Sequence, residues 1–131
     1  QIQIESRVIG DLATNHIIPV AIEYQNVLIE NVKGLQEVLD NKTFVKLSKN
    51  QLQALKEISM HIAEIKENVI KMTEARKVAN QIVDIQEQAL CYNHTVLPYF
   101  EIIRYHADKL ELMVDDKLWP LPKYRELLFL R

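Results

Sequence analysis

The chain has 131 residues, 48% of them hydrophobic and 26% charged, with a formal net charge of −2. That length fits one domain, residues 1–131, able to bury roughly two thirds of its unfolded surface. Acidic and basic residues are interspersed, so the basic footprint of a nucleic-acid binder is missing. The longest apolar runs, such as Ile17-Ile18-Pro19-Val20-Ala21-Ile22, are too short to span a bilayer.

No signal peptide is visible. The single cysteine, Cys91, excludes an internal disulfide and fits a reducing, cytoplasmic setting. Only two glycines and four prolines are present, so most of the chain must lie in long regular elements. Gln1-Ile2-Gln3-Ile4-Glu5-Ser6-Arg7 has no N-cap before its first apolar positions. The expectation is a chain that begins inside a helix of a longer protein.

The first third reads as a helix. Ile17, Ala21, Tyr24, Leu28, Leu35 and Val38 share one face, with the polar Asn31 at one seam position. Pro19 should bend this helix early, Gly34 weakens its end, and Asp40-Asn41-Lys42-Thr43 reads as a turn. The middle carries the strongest signal. Leu55, Ile58, Ile62, Ile65, Val69 and Met72 alternate spacings of three and four, the seam of a helix packed along another.

Ser48 followed by Gln51 is a capping-box pattern that starts the middle helix near Ser48. Running to about Ile82, it would be on the order of 50 Å long. A further seam follows in Val96, Phe100, Ile103, Ala107, Leu110 and Val114, with Asp84 as its N-cap and Pro98 inside it as a kink or division.

After Val114 the periodicity stops. Asp115-Asp116-Lys117-Leu118-Trp119-Pro120-Leu121-Pro122 reads as a loop, and Pro122 can open a short terminal helix through Leu130. No internal repeat is evident. Short connections make neighbouring helices antiparallel. The predicted fold is therefore all-α: an up-down antiparallel bundle of three long, partly kinked helices plus a short C-terminal helix.

No catalytic, cofactor-binding or metal constellation emerges. The histidines are His16, His61, His94 and His106. A di-metal bundle needs two Glu-x-x-His pairs, whereas His61-Ile62-Ala63-Glu64 has the reverse order and no second copy exists. Glu57 and His61, four apart, read as a surface pair. Arg104-Tyr105-His106-Ala107-Asp108 is either a ligand-gripping cluster or the polar face of the third helix. Cys91, between Leu90 and Tyr92, reads as a small buried hydrophobe rather than a reactive thiol.

Gly10 and Gly34 are too far apart for a phosphate loop. Asn41-Lys42-Thr43 and Asn93-His94-Thr95 match the glycosylation sequon by chance. The seams could also pair with another protein, although similar seams within one chain favour packing on each other. Trp119 beside its prolines, with Tyr124 and Arg125, is the candidate interaction surface, since Trp, Tyr and Arg dominate binding hot spots. A loop folded over the bundle end is the alternative.

Two blocks resemble a known family. One is Ile4-Glu5-Ser6-Arg7-Val8-Ile9-Gly10-Asp11-Leu12-Ala13-Thr14-Asn15-His16-Ile17-Ile18-Pro19, continuing to Glu30-Asn31-Val32-Lys33-Gly34-Leu35. The other is Ile103-Arg104-Tyr105-His106-Ala107-Asp108-Lys109-Leu110-Glu111, followed by Leu118-Trp119-Pro120-Leu121-Pro122-Lys123-Tyr124-Arg125-Glu126-Leu127-Leu128-Phe129. Both resemble the C-terminal region of type III glutamine synthetases, with only helical character matching between about Asn41 and Asn80.

The resemblance implies a parent enzyme that makes glutamine from glutamate and ammonia, using ATP and Mg or Mn. It also implies partners: the catalytic domain of the same chain and neighbouring subunits of a ring-shaped homo-oligomer in the cytoplasm. The family's nucleotide, metal and glutamate residues lie upstream, so none carries over to a position here. The expected role is non-catalytic: structural, oligomer-contact or regulatory. A stand-alone helical interaction module is the alternative.

Overall fold

A computed structural model describes residues 2–114, and all of its regular structure is helical. Three long helical rods form it. The first joins α1 (Ile2–Leu12), a π-helical turn (Ala13–Ile17) and α2 (Ile18–Val38). A short α3 (Asn41–Leu47) leads into the second rod, α4 (Lys49–Asn80). The third joins α5 (Ile85–Cys91), another π-helical turn (Tyr92–Val96) and α6 (Leu97–Met113).

The rods run up, down and up. Gln25 of α2 reaches Leu55 and Ser59 of α4, while Gly10 of α1 lies beside Met72 and Val69 near the far end of α4. Asn80 of α4 meets Tyr92, and His61 meets His106 of α6. Both neighbours of α4 are therefore antiparallel to it, as short connections require. The expected short C-terminal helix from Pro122 lies outside the described residues.

The core follows the predicted seams. Ile58, Ile62, Ile65 and Met72 of α4 are buried against Val96, Ile103, Ala107, Leu110 and Val114 of the third rod. Leu55, Val69 and Phe100 are half-buried at its margin. In the first rod Ile17 and Ala21 are buried and Tyr24 and Leu28 half-buried, but Val38 is exposed. Leu35 and Leu39 at that tip of α2 are half-buried while Val38 stays open, so periodicity at Val38 continues without burial.

The inward face at the start of the first rod was not legible as a seam, because its buried positions are Ser6, Gly10 and Ala13. Small residues let α1 approach α4 closely. A Cβ on Gly10 would sit 3.5 Å from Met72 Cε. Ser6 is accommodated by donating its hydroxyl to the Gln3 carbonyl.

Pro19 and Pro98 sit in the same structural context. Pro19 and Pro98 each follow a π turn by two residues, and the amide just before each proline bonds five residues back, Ile18 to Ala13 and Leu97 to Tyr92. A proline inside an α-helix lacks its own donor and crowds the carbonyl four residues earlier. The wider π turn moves that carbonyl aside, so the helix continues past the proline.

Two boundary expectations are corrected. Asp40-Asn41-Lys42-Thr43 is not a turn. Asp40 caps α3, accepting from the Thr43 amide at 3.2 Å and from its hydroxyl at 2.7 Å. Ser48 does precede α4, but no capping box forms. Its hydroxyl donates to the Phe44 carbonyl at 2.6 Å, because α3 ends directly against α4 and Ser48 stays helical in backbone. Asp84 caps α5 as expected, accepting from the Glu87 amide at 2.9 Å. Gln88 then donates to the Ala79 and Ile82 carbonyls, closing the C-terminus of α4.

Candidate functional site

Two features stand out, a polar pair inside the bundle and an apolar surface at its ends. His61 of α4 and His106 of α6 face each other with Nδ1 atoms 2.8 Å apart. One ring must donate its Nδ1–H and the other must accept on a bare Nδ1. His61 is buried, and burial holds its imidazolium below the ordinary 6.5; His106 and Lys109 push the same way, while Glu57 opposes them.

Tyr105 stacks edge-on against His106, and Lys109 lies 5.4 Å over the Tyr105 ring. A cavity of about 320 Å³ opens beside His61, bounded by Met60, Tyr105, Lys109 and Met113. The Arg104–Asp108 stretch therefore divides. Ala107 enters the core, His106 turns to α4, and Tyr105 stays exposed. Sequence spacing paired His61 with Glu57 and missed its partner 45 residues away.

The other histidines sit in the π turns. His16 is exposed. His94 donates from Nδ1 to the Leu90 carbonyl at 2.8 Å. Cys91 is partly buried against the core with its sulfur 3.6 Å from the Thr95 hydroxyl. Burial raises the Tyr92 phenol above its usual value, and its hydroxyl donates to Asn80. Among the described residues, no group of three or more His, Cys, Asp or Glu side chains comes together to hold a metal ion.

The apolar surface lies at both ends of α4. At the α4–α5 end, Val83 is 95% and Ile85 81% exposed, flanked by exposed Val78 and Leu90. At the other end Val38, Val45, Leu47 and Leu52 are exposed. With 32 residues in α4, these ends lie roughly 45–50 Å apart. An apolar groove of about 300 Å³ runs between α1 and α6, bounded by Ile4, Val8, Leu12 and Phe100. No helix of the described residues is long and apolar enough to cross a membrane. Trp119, Tyr124 and Arg125, the expected interaction residues, lie outside the described residues.

Residues 1–36, the first rod almost to its end, match the family described as glutamine synthetase C-terminal domain. That match takes in the first 36 of the 131 residues and is a likeness to that domain. The likeness extends well beyond that rod. A glutamine synthetase of Bacteroides fragilis is 51% identical over 129 residues, 98% of this chain and 18% of the relative. A type-3 glutamine synthetase of Dictyostelium discoideum is 31% identical over 137 residues, 99% of this chain. A glutamine synthetase of Butyrivibrio fibrisolvens is 26% identical over 128 residues, 98% of this chain. The resemblance to the C-terminal region of type III enzymes is thus borne out, and the chain spans 18% of the length of each of these relatives.

Proposed function

We propose that this bundle is a non-catalytic docking domain of a type III glutamine synthetase, seated on the catalytic part of its own polypeptide and on neighbouring subunits of a ring-shaped homo-oligomer. The parent would form glutamine from glutamate and ammonia in the cytoplasm, with ATP and Mg or Mn bound outside this chain.

The observation that carries the reading is the exposed apolar end at Val78, Val83, Ile85 and Leu90. Clustered apolar side chains in water mark contact surfaces. Among the described residues these four lie outside the core in which the seams meet. The relatives supply much more chain for such a surface to meet, because this chain spans only 18% of their length.

The test uses the full-length enzyme carrying Val83→Asp and Ile85→Asp. The expected result is a smaller assembly by light scattering, with weaker glutamine formation. Native assembly size together with native activity would overturn the docking role.

A further inference from the structure

We propose that His61 and His106 form a proton-operated latch between α4 and α6, closed while the pair holds at most one extra proton and opened by the second. The geometry dictates this behaviour. At 2.8 Å the two Nδ1 atoms have room for one proton between them. In the neutral pair one ring carries its hydrogen on Nδ1 and donates, and the other carries its hydrogen on Nε2 and accepts.

A first added proton goes to the donor's Nε2. It leaves the Nδ1–H···Nδ1 bond in place and makes it charge-assisted. A second can bind only the accepting Nδ1. Two N–H groups then point at each other across 2.8 Å, on rings that both carry positive charge, and the bond is lost. Such a pair titrates in two coupled steps rather than as independent imidazoles.

The surroundings hold the second proton off, so release needs a fall in pH. From α6, Lys109 adds a positive charge that disfavours imidazolium at His61, and Tyr105 contributes an aromatic edge to His106. From α4, Glu57 is the opposing negative charge. No charge on α2 acts on His61 among the described residues. The cavity beside His61 gives a released ring somewhere to turn, with polar groups to hold water there.

The latch spans the α4–α6 seam, with Ile58, Ile62, Ile103, Ala107 and Leu110 buried nearby, so release loosens the packing of the third rod. Because protonation of His61 is held below 6.5 in the fold, the latch contribution is complete above that pH and is lost only as pH falls through the second, lower step. This inference stands on the α4–α6 seam alone and is independent of the docking role.

The test is a histidine-resolved NMR titration of the 131-residue chain from pH 8 to 4, paired with chemical unfolding of wild type, His106→Gln and His61→Gln. Glutamine can hydrogen-bond but does not titrate. The expected result is stepwise titration at His61, each step also sensed by His106. Wild type should lose about tenfold in its folding constant per unit of depression at His61, and both variants should lose that dependence. Independent single-step titration of the two rings would overturn the latch. An acid dependence unchanged in the variants would overturn it equally, and the NMR reading on wild type remains decisive if a variant fails to fold.

Discussion

Ile65 and Ile85 are the same residue type, one on each side of the α4–α5 turn, yet Ile65 is 0% exposed and Ile85 is 81% exposed. Ile65 belongs to a run spaced by three and four, so it lands on the strip where α4 meets both of its neighbours. Ile85 opens α5 just after the Asp84 cap, where the chain reverses and no described helix covers it. Helical periodicity thus marks apolar residues that the bundle uses itself. Apolar residues at the α4–α5 turn stay exposed among the described residues.

Substitutions can break or sharpen that contrast. Ile65→Ala should cost about 2–5 kcal/mol in denaturant unfolding, because a fully buried side chain leaves a cavity. Gly10→Leu should cost about 1–3 kcal/mol by overfilling the α1–α4 contact, whereas Gly10→Ala should be tolerated, its Cβ meeting Met72 Cε at an ordinary 3.5 Å. Asp84→Ala should cost about 1 kcal/mol through the lost cap, read as early fraying of α5 by hydrogen exchange.

Gly34→Ala should stabilise by up to about 1 kcal/mol, since nothing lies within 4 Å of its Cβ position. A melting temperature at or below wild type would contradict that. Val83→Ser with Ile85→Ser should change the unfolding of the 131-residue chain by less than about 0.5 kcal/mol. A large loss would mean that this end is structural after all.

Acid should give the smallest effect at the other end. Hydrogen bonds from the Thr43 hydroxyl and amide hold the Asp40 carboxyl below its ordinary 3.8. Its support of α3 is therefore complete above 3.8 and fades as pH falls through the lower folded value. Exchange at the first amides of α3 should quicken there, and Asp40→Asn should flatten the response.

The seams of α4 and α6 were legible because the hydrophobic period and the helical period coincide, and Asp84 because capping chemistry is local. The inward face at the start of the first rod was not, since Ser6, Gly10 and Ala13 carry little apolar signal and matter by being small. The π turns were hidden for a related reason. Proline announces a disturbance, but whether the helix breaks, bends or widens depends on what packs around it. The candidate site was the least legible part. His61 had a visible neighbour in Glu57 on its own helix, and nothing local pointed to His106.

The sequence by itself determined the helical class, the principal seams, the Asp84 boundary and the likeness to glutamine synthetases, because each rests on residues a few positions apart or on direct likeness to relatives. Only the tertiary structure decided that α3 exists between two rods, that Pro19 and Pro98 are carried past π turns, and that two histidines share a hydrogen bond. Those outcomes depend on which side chains meet across the bundle, and that pairing is fixed by packing three rods together rather than by any local pattern.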